Sequence, residues 1–212
     1  MNYAFYISST ATRLSKIIKK RDNFLKDVSV VFSDDKRNEY LKKDLEEIGI
    51  EYILYDYKEI ECNNISKSEK LSNMLLQILK KYKVDYCFSF GAHILKGELL
   101  DVYKNRIINF HPSLLPDYPG VRAIDQAIAD GARYLGNTAH FIDSGIDTGP
   151  IILQSVQSIE AFYLGGYDAI LDVQIEMLYR IDKLIKEDRI KIEETKVKIL
   201  NADYITHAFF PN

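Results

Sequence analysis

Short apolar runs alternate with amphipathic stretches over the first 110 residues of the chain. The apolar runs are rich in β-branched and aromatic side chains, a composition typical of buried strands. Predicted strands cover residues 3–7, 28–32, 51–55, 84–90 and 106–110. Between these runs the apolar residues recur at helical spacing. Predicted helices cover residues 13–22, 36–48 and 68–82, with a shorter helix near Leu99.

Strands that alternate with helices in this way predict βαβ units, and hence a parallel sheet covered by helices on both faces. Right-handed crossovers and short loops favour a doubly wound, mainly parallel sheet of the α/β class. Ligands of such sheets bind beyond the carboxyl ends of the strands. This rule directs the search for a site to residues 8–13, 90–95 and 109–120.

The pattern changes after Tyr134. Residues 137–142 alternate between apolar and polar side chains and residues 151–159 form another extended run, which predicts two more strands. A long helix is predicted over 167–186 and a last strand over 196–200. The predicted core contacts of that helix are Ile170, Val173, Met177, Ile181 and Leu184. Because no repeat, low-complexity linker or break in composition interrupts the chain, we expect a single domain.

Composition and charge narrow the classes of function. The 212 residues carry a net charge of −3 with basic and acidic side chains interspersed, which argues against nucleic acid as a partner. No stretch approaches the roughly 20 apolar residues of a membrane span, and the N-terminus lacks a signal-peptide pattern. We therefore expect a cytoplasmic protein that does not contact membranes. Cys62 and Cys87 make no disulfide framework, and Cys87 is predicted to be a packed thiol.

Side chains capable of chemistry stand at the end of the fifth predicted strand. Asn109 and His111 are two residues apart, so on an extended backbone they face the same side. An amide beside an imidazole can surround an oxygen on which negative charge develops. Three prolines and Gly120 fix the shape of the loop that follows. A histidine after a strand is more often structural, so the functional interpretation depends on its companions.

The companions are Asp143 and Asp147, which flank a glycine turn between the two later strands. Acidic residues in such turns often only cap the backbone, and for Asp143 this explanation is as strong as a functional one. Two acids also raise the question of a metal site. Because the chain offers no His/Asp/Glu cluster at ligand spacing, we expect no bound metal.

Together the two segments resemble the signature of the folate-dependent formyltransferases, most closely the branch that formylates glycinamide ribonucleotide in purine synthesis. The family motif Asn-x-His-Pro-Ser-Leu-Leu-Pro stands intact from Asn109 to Pro116, and Asp-x-Gly-Pro-Ile from Asp147 to Ile151. Thr138 and His140 lie on the strand between them. The resemblance implies a Rossmann-like formyltransferase domain over residues 1–187. Residues 188–212 would then be an extension of unknown role, packed on the same domain.

The resemblance also implies an activity and its residues. Asn109, His111 and Asp147 would be the catalytic residues, and 10-formyltetrahydrofolate the formyl donor. In this chemistry the asparagine and a protonated histidine stabilise the formyl oxygen, while the aspartate orients the histidine and helps to move a proton. The residues implied in donor binding are Ala92, His93, Ile94, Leu95, Ile142, Asp143, Ser144, Gly145 and Ile146.

The resemblance is weaker on the side of the amine acceptor, which it implies to be a phosphorylated small molecule. The residues implied in acceptor binding are Ala11, Thr12, Arg13, Pro112, Arg122 and Glu176. The family has asparagine at the place of Arg13, histidine at that of Arg122, and Gln-Glu-His where this chain has Gln174-Ile175-Glu176. Arginine is a good phosphate ligand, although Arg13 is equally well explained as a solvated residue of a first helical turn.

These departures leave other members of the family open. Amino-sugar N-formyltransferases and formyltetrahydrofolate hydrolases resemble the chain in the same three residues, although the hydrolases typically carry an added regulatory domain. The sequence Tyr118-Pro119-Gly120 favours the purine-type acceptor. The 15 tyrosines and 10 phenylalanines are compatible with a homodimer interface.

Overall fold

A computed structural model describes residues 1–21, 23–62 and 65–204. The chain forms two compact units. Unit 1 contains residues 1–109 and 141–145, and unit 2 contains residues 110–140 and the chain from Ile146 onwards. Asp22, the predicted end of the first helix, and the tail at His207 lie outside the described residues.

Unit 1 is built on parallel strands in the order β3-β2-β1-β4-β5. Their bounds are β1 Tyr3–Ile7, β2 Val28–Ser33, β3 Glu51–Leu54, β4 Tyr86–Phe90 and β5 Ile107–His111. All five predicted strands are confirmed, with ends that move by at most two residues. The last two residues of β5 belong to unit 2. Strands β1, β2, β4 and β5 are buried along nearly their whole length, which explains why they appear as continuous apolar runs, whereas in β3 only Tyr52 is buried.

Four helices connect these strands: α1 Thr12–Lys20, α2 Leu41–Glu47, α3 Lys67–Lys81 and α4 Glu98–Val102. The prediction of one helix over 36–48 was wrong, since a short 3-10 helix at Lys36–Asn38 precedes α2. Asp35 caps that turn by accepting a hydrogen bond from the Arg37 amide, at 2.9 Å. The buried Asn38 donates to Ser33 Oγ at 3.1 Å. Contacts back to the end of β2 therefore hold the turn apart from the helix.

The core of unit 1 lies on both faces of its strands. On one face Tyr6, Phe32 and Cys87 pack against the buried leucines of α3. On the other face Tyr3, Phe5 and Phe88 make an aromatic cluster with ring centroids 5.2–5.7 Å apart. The prediction that Cys87 is a packed thiol is confirmed, because the residue is fully buried. Burial raises its pKa to about 12, so the thiol is unreactive at neutral pH.

Unit 2 contains the antiparallel pair of β6 and β7, which follow β5 in the order of the seven-stranded sheet. Its elements are α5 Ala123–Ala129, β6 Tyr134–Phe141, β7 Ile151–Ser158, α6 Glu160–Leu171, α7 Val173–Lys186, β8 Ile190–Glu193 and β9 Lys196–Ile199. A mainly parallel sheet with helices confirms the α/β class. Helix α5 and strand β8 were not predicted.

Within the described residues, no helix is long and apolar enough to cross a membrane.

The long helix predicted over 167–186 is two helices, and this prediction was wrong at its start. Helix α6 begins already at Glu160, and Gly166 takes a non-helical conformation inside it, with φ of 63°. Ile170, Met177 and Ile181 are buried as predicted, whereas Val173 and Leu184 are only partly buried. The buried face of α7 runs instead through Ile175, Leu178 and Ile185.

One buried polar contact fixes α7 against β6. Gln174 Nε2 donates to Asn137 Oδ1 at 2.7 Å, and Asn137 Nδ2 donates to the Ile170 carbonyl at 2.9 Å. Asn137 and Gln174 are both fully buried. Since buried amides are costly unless they are bonded, this pair specifies where the helix sits on the strand.

Replacing Gln174 by leucine is expected to lower the free energy of unfolding by about 2 kcal/mol, because Asn137 Oδ1 then loses its buried donor. The measurement is urea unfolding of both proteins. Glu176→Gln, an exposed change on the same helix, is the control and should leave the free energy unchanged. An unchanged free energy of unfolding in Gln174→Leu would show that the amide pair contributes nothing to stability.

Candidate active site

His111 and Asp147 lie in contact inside unit 2. His111 is the last residue of β5, and Asp147 lies in the turn between β6 and β7. His111 Nδ1 is 3.3 Å from Asp147 Oδ2, and its Nε2 is 2.8 Å from the Tyr118 carbonyl oxygen. The imidazole is buried and both ring nitrogens face acceptors. Because a carbonyl can only accept, Nε2 carries a hydrogen in this arrangement.

The carboxylate of Asp147 also contacts Gly120 and His140 in unit 2. Its Oδ2 accepts a hydrogen bond from the Gly120 amide at 2.8 Å, and its Oδ1 is 3.4 Å from His140 Nε2. Asp147 itself has a left-handed backbone, with φ of 54°. Aspartate and asparagine tolerate this region better than most residues, so the turn restricts which side chains suit the position.

The surroundings of Asp147 favour its charged form. Burial, the largest single influence, raises the pKa of this carboxyl. The hydrogen bonds from His140 and Gly120 and the charges of His111 and His140 act in the opposite direction and outweigh burial. The pKa of Asp147 therefore lies below its ordinary value. The group is a carboxylate at neutral pH, as a proton acceptor must be.

This pKa shift predicts a pH dependence of stability. A carboxyl whose pKa is lower in the folded state stabilises the fold above its ordinary pKa, and loses this contribution as the pH falls. We expect the difference in unfolding free energy between the wild type and Asp147→Asn to shrink as the pH falls from about 5 to about 3. Urea unfolding across this range measures it. A difference that stays constant would contradict a charge-stabilised Asp147.

The loop after His111 is held by Thr138 on β6. Its hydroxyl donates to the Ser113 carbonyl at 2.7 Å and accepts from the Leu115 amide at 3.1 Å. Gln154 on β7 donates to the same hydroxyl at 2.9 Å and to the Leu115 carbonyl at 3.0 Å. The loop that supplies the Tyr118 and Gly120 contacts is thereby tied to two strands.

Asn109, the third predicted catalytic residue, belongs to unit 1. It lies on β5 two residues before His111 and pairs with Ser89 in β4. Its side chain is half-buried. By the alternation of a strand, the side chains of positions 109 and 111 point to the same face.

The segments predicted to bind the donor follow β4 and β6, and all but Ile146 belong to unit 1. The Ala92 amide donates to Ser8 Oγ at 2.9 Å. Leu95 is buried, whereas Ile94 is 54% exposed. In the second segment, which runs from Ile142 through Ser144 to Ile146, Asp143 Oδ1 accepts from the Gly145 amide at 3.0 Å. The backbone-capping explanation of Asp143 therefore has a structural basis.

The residues predicted to bind the acceptor divide between the units. In unit 1, Ala11 and Thr12 begin α1, and the Arg13 guanidinium lies 4.2 Å above the Phe90 ring. Burial lowers the pKa of Arg13 to about 10, which leaves it charged at neutral pH. In unit 2, Arg122 and Glu176 are exposed.

Pro112, the remaining predicted acceptor residue, borders a cavity of about 220 Å³ in unit 2. Tyr118 also borders this cavity and belongs to an apolar cluster with Ile124, Ala127, Leu135 and Ile170. The backbone contacts of Tyr118 and Gly120 were not predicted, because every residue has the same main-chain groups and the sequence does not show which of them make contacts.

Among the described residues, no group of three or more His, Cys, Asp or Glu side chains is arranged to hold a metal ion.

Comparison with known proteins gives consistent matches. The family model described as formyl transferase matches residues 1–163. A phosphoribosylglycinamide formyltransferase of Bacillus subtilis is 41% identical over 87 residues, which cover 41% of this chain and 45% of the relative. A formyltetrahydrofolate deformylase of Haemophilus influenzae is 32% identical over 146 residues, 66% of this chain and 51% of the relative. The chain thus spans about half the length of these curated relatives.

Solved structures match over nearly the whole chain. The crystal structure of glycinamide ribonucleotide transformylase 1 from Symbiobacterium toebii has a TM-score of 0.81 and 28% identity, and the match covers 95% of this chain and 94% of the other. The phosphoribosylglycinamide formyltransferase of Anaplasma phagocytophilum has a TM-score of 0.78 and 25% identity, and covers 96% of both chains. The fold is that of these enzymes.

Proposed function

Because the chain belongs to the formyl transferase family, we propose that it transfers a formyl group from 10-formyltetrahydrofolate to a primary amine. We propose glycinamide ribonucleotide, a phosphorylated amine of purine synthesis, as the acceptor. The observation that carries the proposal is the contact between His111 and Asp147, within 3.3 Å, in the two segments that resemble the family signature. Relatives named for this reaction match the chain in sequence and in fold.

The donor supplies a formyl carbon, and negative charge gathers on the formyl oxygen as the amine nitrogen bonds to that carbon. His111 and Asn109 are the residues we assign to this oxygen, as an imidazole N–H and an amide N–H. In the structure His111 Nε2 donates to the Tyr118 carbonyl at 2.8 Å. The imidazole therefore exchanges this carbonyl for the formyl oxygen during the reaction, and its orientation is set beforehand by Asp147.

Asp147 serves the proton balance. The amine nitrogen loses one proton as it gains the formyl group, and the departing folate nitrogen gains one. A carboxylate with a lowered pKa stays ionised at neutral pH, so Asp147 relays the proton of the amine, directly or through water, and does not hold it. The pair of His111 and Asp147 can then pass a proton on to the folate nitrogen. No covalent bond to the enzyme forms in this scheme.

The residues we assign to the donor suit a flat, largely apolar molecule with a polar edge. Ile94 presents 54% of its surface, and the neighbouring Leu95 is buried and anchors the segment. The glycine turn from Ile142 to Gly145 offers backbone amides and carbonyls beside apolar side chains. Such sites hold ring systems by apolar contact and fix their orientation by a few polar groups.

The acceptor assignment rests on phosphate chemistry. Helix α1 begins at Thr12, its N-cap residue Ala11 makes no side-chain capping hydrogen bond, and Arg13 follows at once. Backbone amides at a helix start and a charged guanidinium both bind phosphate. Arg122, Glu176 and Pro112 are further residues that we assign to the acceptor.

A homodimer and a cytoplasmic location stay predictions alongside this function. Light scattering of the purified protein tests the homodimer directly. A mass equal to one chain at working concentration would rule it out. Fractionation of the cells that produce the protein tests its location.

The test of the function is formyl transfer from 10-formyltetrahydrofolate to glycinamide ribonucleotide, run beside a panel of nucleotide-linked amino sugars. Turnover of the ribonucleotide is the expected result. Turnover only with an amino sugar would replace the acceptor and keep the reaction. Release of formate without any formylated product would make the protein a hydrolase and overturn the proposal.

A further inference from the structure

Three elements of unit 1 supply side chains around His93, which lies in the segment after β4. Tyr6 comes from β1, Asp34 directly follows β2, and Tyr57 begins the 3-10 helix Tyr57–Glu59 after β3. His93 Nε2 is 3.7 Å from Asp34 Oδ2, and its ring stacks on Tyr57 with centroids 3.5 Å apart and an interplanar angle of 16°. The His93 side chain is 33% exposed. Its ring therefore has a fixed orientation and an accessible edge.

Asp34 is an unusual residue to find at this place. It is 2% exposed, and no lysine or arginine within the described ranges makes a salt bridge with it. Its Oδ2 accepts a hydrogen bond from the Tyr6 hydroxyl at 2.5 Å, while its buried Oδ1 has no hydrogen-bond partner among the described residues. A buried carboxylate without a cation destabilises a fold, and burial raises the pKa of this one. A contact with a function would explain its presence.

The backbone of the His93 segment is held as firmly as the ring. The Tyr6 ring, whose hydroxyl donates to Asp34, packs closely against Gly91, two residues before His93. The Ala92 amide is held by Ser8 Oγ at 2.9 Å. Gly91 allows this approach, because a Cβ there would lie 2.0 Å from Tyr6 Cε1. The segment is ordered before any ligand binds, which lowers the entropy lost on binding.

Asp34 also biases which imidazole nitrogen carries the hydrogen, because its Oδ2 lies 3.7 Å from Nε2. A carboxylate attracts an N–H, so it favours the tautomer with hydrogen on Nε2. The neutral ring then presents Nδ1 as a hydrogen-bond acceptor. We propose that Asp34 is a positioning residue for His93, whose Nδ1 accepts a hydrogen bond from an N–H group of the folate ring system. This inference rests on the proposed function, since it assigns His93 to the donor.

The first test does not depend on catalysis. Nitrogen-15 spectra of the imidazole, recorded above neutral pH, report the tautomer of His93. We expect a wild-type pattern with hydrogen on Nε2, and in Asp34→Asn a shift toward a mixture, because an amide can present either its oxygen or its NH2 group. Asp35→Asn is the matched control: its carboxylate pairs with Arg37 at 2.5 Å and makes no salt bridge with His93. An unchanged tautomer in Asp34→Asn would overturn the inference.

The second test separates binding from chemistry. In Asp34→Asn we expect the KM for 10-formyltetrahydrofolate to rise about tenfold while kcat changes little, as for loss of an interaction made before the transition state. In a His93→Ala background the same change should have no further effect, because Asp34 acts through the ring. An additive effect of the two changes, or an equal fall in kcat, would contradict a positioning role.

A second variant, at the residue stacked on the His93 ring, keeps the inference testable if Asp34→Asn misfolds. If Asp34→Asn does not fold, Tyr57→Leu removes the stacking partner instead and should raise the same KM. An unchanged KM would then overturn the inference. Failure of the proposed function looks different, since the wild type itself would transfer no formyl group while its His93 spectrum stayed as expected.

Discussion

Asp147→Asn is expected to transfer formyl groups at least about 100-fold more slowly than the wild type, with an unchanged fold. Asparagine matches aspartate in shape, tolerates the left-handed backbone at φ of 54°, and still offers an oxygen to the Gly120 amide. It loses the negative charge that orients His111 and the capacity to take a proton from the amine. Initial rates at saturating donor and acceptor measure the loss, and circular dichroism checks the fold.

Asp143→Asn makes the same chemical change in the same turn and is the matched control. Its carboxylate accepts a hydrogen bond from the Gly145 amide, a contact that asparagine reproduces. Because Asp143 lies in the segment assigned to the donor, we expect this variant to change the KM for 10-formyltetrahydrofolate and to keep the rate at saturating donor close to that of the wild type. If Asp147→Asn were as active as Asp143→Asn, Asp147 would have no catalytic role. A double variant with His111→Ala should be little slower than the slower single variant, because the two residues act as a unit.

Gly136→Ala is expected to lower the free energy of unfolding by about 3 kcal/mol, a large part of the stability of a small protein. A Cβ at this position of β6 would lie 2.4 Å from Leu114 Cδ2 and 2.6 Å from the Ser155 carbonyl oxygen. The side chain can turn away, but the carbonyl belongs to the paired strand β7 and cannot. Urea unfolding should show a lower midpoint with an unchanged slope.

A second variant separates the two obstacles. Leu114→Ala alone should destabilise the fold, because it removes a partly buried side chain. In a Gly136→Ala background, Leu114→Ala should lower the free energy of unfolding by less than it does in the wild type. The reason is that it also removes one of the two close contacts of the added methyl group. Strict additivity would show that Leu114 is not in the way of the added methyl group.

The strands of unit 1 could be predicted from the sequence because burial of both faces makes them continuous apolar runs. Tyr3–Ile7, for example, is buried at every position and was predicted with its true ends. The helix over 36–48 could not be predicted correctly, because Asn38 is drawn back to Ser33 by a buried hydrogen bond. No periodicity encodes such a contact.

The same distinction applies to the site. His111 and Asp147 are predicted by a motif, and the structure brings them together, 3.3 Å apart. Their partners on the main chain, the Tyr118 carbonyl and the Gly120 amide, follow from the path of a loop and not from side-chain identity. Asp34 was not predicted as part of a site, for another reason. An aspartate that follows a strand is usually an exposed turn residue, and only the structure shows that this one is buried.

The strand order gives the C-terminal hairpin a role in colloidal stability. Strand β7 ends the sheet in unit 2, and a bare edge strand offers its backbone to other chains. The hairpin of β8 and β9 lies near β7, and glutamine and serine supply half of the residues of that strand: Gln154, Ser155, Gln157 and Ser158. Both features discourage strand addition between copies. A chain that ends before Ile190 should therefore aggregate more readily, even if its chemistry is intact.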